Sequence, residues 1–67
     1  MLPAHNRSLQ VYAAVMDLYS KYRWVSEIDA LYLSQELIYF GYFSEKDPPT
    51  LLDCGTAQDL IRQVEKQ

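Results

Sequence analysis

The stretch "RWVSEID", Arg23 to Asp29, decides how this chain folds. Amphipathic sequence lies on both sides of it, and the link between them is only a few residues long. Lys21 and Arg23 sit where the last turn of a preceding helix would end, and positive charge there favours the carbonyl end of the helix dipole. Ser26 is a good N-cap for a following helix, with Glu27 in its first turn and Asp29 three residues on. The stretch therefore reads as a helix-to-helix turn, and so short a link makes its two helices antiparallel neighbours.

Before the turn, residues 8–24 form the first expected helix. Its apolar positions fall on two adjacent stripes, Leu9, Tyr12, Met16, Tyr19 and Val11, Val15, Leu18, Tyr22, Val25. An arc of roughly 200° is wider than the stripe of about 100° that one neighbour needs, so this helix has two partners. Residues 27–43 form the second helix, with Leu33, Leu37 and Phe40 on an aliphatic side. Ile28, Leu31, Tyr32, Ile38, Tyr39 and Tyr42 lie on a mixed side, with Gln35 in its middle. Gly41 offers an alternative end one turn earlier, leaving Tyr42 just outside.

Pro48 and Pro49 break the pattern, so residues 44–55 read as a loop with Leu51 and Leu52 tucked against the hairpin. Thr56 with Asp59 repeats the capping pattern, and a short helix over 57–66 presents Leu60, Ile61 and Val64 as a lid. Residues 1–7 are left as an N-terminal tail. The expected fold is a single all-α domain, an antiparallel helical hairpin plus a short C-terminal helix. Dimerisation through the hairpins into a four-helix arrangement supplies the support that so small a core lacks. A tyrosine pattern repeats, Tyr12, Tyr19 and Tyr22 matching Tyr32, Tyr39 and Tyr42, as similar packing on two helices would produce.

Composition narrows the function. One cysteine, Cys54, and one histidine, His5, supply neither an internal disulfide nor a zinc set, and no cofactor is expected. Cys54 reads as a spare thiol, since a cysteine nucleophile needs a positioned base. The net charge of −3, with six scattered basic residues, disfavours direct nucleic-acid binding. A helix-turn-helix would have to send Glu27, Asp29 and Glu36 into the major groove with no Arg or Lys beside them. Asp29 and Glu36 share a face, but as a solvated strip and not an acid–base pair. The opening "MLPAHNRS" has no secretory pattern and no apolar run reaches membrane length, so the expected location is cytoplasmic. The sequon at Asn6 is then incidental.

Six tyrosines, with Trp24, Phe40 and Phe43, exceed what a small hairpin hides. Tyrosine brings a large rigid contact face and a hydroxyl that tolerates water, which suits protein interfaces. Either side of the second helix could close a dimer, and the aliphatic one suits a permanent core better. Leu33, Leu37 and Phe40, with Val15 and Leu18, are thus assigned to the dimer and core. Tyr32, Gln35, Tyr39, Tyr42 and Phe43 are assigned to a foreign protein partner. In size, acidity, hairpin form and lack of catalytic motif, the chain resembles the small inhibitors and anti-activators encoded by phages and other mobile elements. That resemblance implies a non-enzymatic protein that occludes a surface of a host transcription regulator or ATPase. A structural or adaptor subunit of a larger assembly is the alternative.

Overall fold

The computed structural model describes the backbone of residues 3–67 and side chains from Asn6 onward. His5, weighed above as a possible ligand, has its side chain outside the described residues. Three α-helices, α1 (Pro3–Lys21), α2 (Ala30–Tyr39) and α3 (Leu51–Glu65), make an all-α fold, a helical hairpin plus a C-terminal helix. A 3-10 turn, Arg23–Ser26, joins the first two.

The boundaries differ from those expected, each for a local reason. α1 begins at Pro3, so residues 3–7 are helix and not a tail. Proline suits a first helical position because its missing N–H would be unsatisfied there anyway. α1 stops at Lys21 because Tyr22 is extended, with φ −136° and ψ 105°. The cap of α2 is Asp29, whose carboxylate accepts from the Tyr32 N–H at 2.8 Å, and not Ser26. Ser26 is buried in the 3-10 turn instead. α2 ends early, as the Gly41 alternative had it. Gly41 takes φ +87°, the Tyr42 N–H bonds back to Leu37 and the Gly41 N–H to Ile38, which is a Schellman cap.

α3 starts at Leu51, six residues before the expected position, so "TLLDCG" is a cap and helical turn and not a loop. Thr50 accepts from the Asp53 N–H at 3.1 Å, directly after the two prolines that stop the preceding segment. Leu51 and Leu52 are exposed on this first turn and not tucked away.

α3 is more than a lid. It packs on both α1 and α2, which touch each other much less. Ser8 donates to Asp53 and Tyr19 to Glu65, so α1 and α3 run side by side in the same sense. The core combines Val11, Val15 and Leu18 of α1, Val25 of the turn, Leu33 and Leu37 of α2, and Cys54, Ala57 and Ile61 of α3. Each fully buried Leu, Ile or Val contributes about 1.5–3 kcal/mol. Polar side chains of α3 then satisfy the connector. Gln58 donates to the carbonyls of Val25 and Ile28 at 3.0 and 2.6 Å, and Arg62 donates to that of Ser26 at 2.8 Å. Without them, bends in the chain would bury unpaired carbonyls.

This packing corrects one assignment. Leu33, Leu37, Val15 and Leu18 are indeed core, but the core of a single chain, each with no exposed surface. The aliphatic side of α2 is therefore closed against α3 and α1, and offers no dimer face without unfolding. Phe40, grouped with them, is not buried.

Candidate functional site

The six tyrosines divide by what holds their hydroxyls and rings. Tyr19 donates to Glu65 at 2.6 Å while the Arg23 guanidinium covers its ring at 4.8 Å. Tyr42 donates to the Asp17 carboxylate and receives the Lys21 ammonium at 3.4 Å. The Tyr42 hydrogen bond, and then the Lys21 charge, hold Asp17 below the usual carboxylate range. The same bond to Asp17 holds the Tyr42 phenol above its ordinary value. Tyr12 is half-buried against the core. By contrast Tyr22, Tyr32 and Tyr39 make no hydroxyl hydrogen bond among the described residues and are exposed.

Those free rings are continuous with other aromatics. The Trp24 and Tyr22 centroids are 5.5 Å apart, Tyr22 and Phe40 5.4 Å, and Phe40 meets Tyr39 edge-on at 5.2 Å. Such spacings are ordinary attractive ring contacts. Two local breaks build this ridge. The extended Tyr22 ends α1 and lets the 3-10 turn point Val25 inward while Trp24 stays exposed. The Gly41 cap ends α2 and leaves Phe40 on the rim. Tyr39, 79% exposed, is the outermost ring. Gln35, Ile38, Tyr39 and Glu45 frame an open depression of about 310 Å³ beside it, and Leu31 and Tyr32 extend the exposed apolar surface along α2.

Of the residues assigned to a partner, Tyr32, Gln35 and Tyr39 therefore lie together on the outward side of α2. Tyr42 and Phe43 do not. The Gly41 turn carries them toward α1, where Phe43 lies under the Arg7 guanidinium at 4.7 Å and both pack on the core. They line a second open depression with Gln10, Ala13, Ala14 and Asp17. Tyr22, Trp24 and Phe40 take their place in the ridge. Tyr22 and Trp24 are missed from the sequence because both fall in the expected first helix, whereas the chain turns extended at Tyr22.

Asp29 and Glu36 remain apart in role, Asp29 capping α2 and Glu36 half-exposed on its side. Burial, with the Asp53 charge second, pushes the Cys54 thiol up to about 11, so it stays protonated at neutral pH. No described helix is long and apolar enough to cross a membrane. No family model, curated protein or solved structure matches the chain.

Proposed function

We propose that this chain is a small protein-binding inhibitor that occludes a surface of a host regulatory protein, a transcription regulator or an ATPase. The observation that carries this reading is the exposed ridge Trp24–Tyr22–Phe40–Tyr39, continuous with Leu31, Tyr32 and Gln35 of α2. Contiguous aromatic surface at a helix cap is the composition of an interface hot spot, and these rings stay exposed among the described residues. The absence of Lys and Arg from residues 27–45, which carry α2, supports a protein partner over bare nucleic acid. In size and helical form the chain resembles inhibitors carried by phages and mobile elements.

Affinity capture from a lysate of the source cell or its host, with wild-type and Tyr39→Ala baits side by side, tests this reading. A prey retained by wild type and lost by the folded variant supports it. Equal retention of every prey contradicts it.

Other exposed apolar residues favour a second reading. Leu51, Leu52, Leu60 and Val64 of α3 are exposed, as are Leu9 and Met16 of α1. If those residues serve a permanent contact, the chain is a structural or adaptor subunit. Light scattering on the isolated chain separates these: an inhibitor stable on its own runs as one discrete species, and a stripped subunit runs as mixed oligomers.

A further inference from the structure

We propose that the aromatic ridge and the outward side of α2 receive an amphipathic helix whose apolar stripe is flanked by Lys or Arg. This rests on the protein-docking reading above and adds the chemistry of the partner.

The charges of the chain are sorted. Asp17 pairs with Lys21 at 3.4 Å, Asp47 with Arg7 at 3.2 Å and Asp59 with Arg62 at 3.3 Å. Asp53 and Glu65 accept hydrogen bonds within the fold, from Ser8, and from Tyr19 and Ser26. The other four acids, Glu27, Asp29, Glu36 and Glu45, have no cation partner among the described residues. All four lie between residues 27 and 45, a segment with no Lys or Arg that contains the whole of α2. Of the cations without an ion pair among the described residues, Arg23 lies over the Tyr19 ring, Lys66 caps the end of α3 and Lys46 borders the segment, so the segment that carries Tyr39 is itself wholly negative. Glu45 itself frames the depression beside Tyr39.

That pairing of apolar ridge and acidic margin selects the occupant. A second copy of the chain would meet the patch with the same patch, setting four acids against four, because a two-fold contact is self-complementary. Nucleic acid and anionic membranes are repelled in the same way. A β-strand partner needs a sheet edge, and the described residues hold only an isolated Ser44–Asp47 bridge. A helix needs none, since it brings side chains at i, i+3, i+4 and i+7 against a ridge. The 10 residues of α2 span about 15 Å, enough for roughly three turns of such a partner. Basic residues beside that stripe would meet Glu27, Glu36 and Glu45.

The test titrates the full chain, ¹⁵N-labelled, with three helical peptides of about 14 residues, leucine paired with lysine, with glutamine or with glutamate. The lysine peptide is expected to bind about tenfold more tightly than the glutamine peptide and to shift amides of residues 22–24, 31–40 and 45. Raising salt from about 50 to 500 mM should remove that advantage. The triple variant Glu27→Gln, Glu36→Gln, Glu45→Gln should remove it at low salt, and Tyr39→Ala should weaken binding at least about fivefold. Equal affinity of the lysine and glutamine peptides at this face overturns the charge selection and leaves the docking reading standing. Shifts centred on Asp17, Asp59 or Glu65 overturn the location. Binding of none of the three overturns the helix proposal, and the Tyr39→Ala capture then decides the docking reading by itself.

Discussion

Leu37 and Tyr39 are two residues apart on one helix, yet Leu37 has no exposed surface and Tyr39 is 79% exposed. Tyr39 and Tyr42 are three apart and of one type, yet only Tyr42 is held by the chain itself, through Asp17 and Lys21. The first contrast follows from helical geometry: positions separated by about 200° must face opposite ways. The second follows from the Gly41 cap, which turns the chain after one ring and before the next. Together they divide the molecule into an interior that determines stability and a ridge that the fold leaves unused.

Substitutions on either side of that division have effects of different size. The largest expected effect is at Leu37→Ala, which leaves a cavity where α2 meets the core and should cost about 2–5 kcal/mol in a denaturant titration. Gln58→Ala comes next, because it strips the carbonyls of Val25 and Ile28 of their donor. We expect a loss of about 2–3 kcal/mol by the same measurement. Gly41→Ala forces a side chain into a left-handed conformation and should lower stability by about 1–2 kcal/mol, although no atom lies in the way of the added methyl. If Gly41→Ala instead proved neutral, the cap would not be what separates Tyr39 from Tyr42.

A smaller effect is expected from Tyr42→Phe, and its signature is pH dependence. Asp17 is held below its ordinary value, so its share of stability is present above about pH 4 and fades as pH falls through the folded value. Tyr42 is held above its ordinary value, so its share is present below about pH 10 and is lost as pH rises through the folded value. The stability difference between wild type and Tyr42→Phe should therefore be a plateau between those limits that closes at both ends.

Much of the fold was legible in the sequence because it rests on periodicity. The apolar spacing of Val11, Val15 and Leu18, and of Leu33 and Leu37, marked the core residues correctly. What the sequence hid was competition between equivalent local signals. Ser26 and Asp29 are both good caps, and only the 3-10 turn decides between them. Thr56 with Asp59 offers a cap for α3 later than the one Thr50 makes, and the helix capped by Thr50 absorbs Gly55 at a cost of about 1 kcal/mol. The role of α3 was hidden for another reason. Asp53, in the expected loop, and Gln58 are buried, because Ser8 completes the first and the connector carbonyls the second. The site was half legible. Tyr32, Gln35 and Tyr39 follow from the helix repeat, whereas Tyr22, Trp24 and Phe40 join them only through contacts between distant parts of the chain.

The most direct measurement is a paired one on Tyr39→Ala: its denaturation midpoint, and its capture of whatever protein wild type retains. Exposed as it is, Tyr39 should affect stability by no more than about 0.5 kcal/mol while the retained protein is lost or weakened by more than about 1 kcal/mol. An unchanged midpoint with unchanged capture would contradict a docking role for the ridge. A large loss of stability would contradict the division between interior and ridge itself.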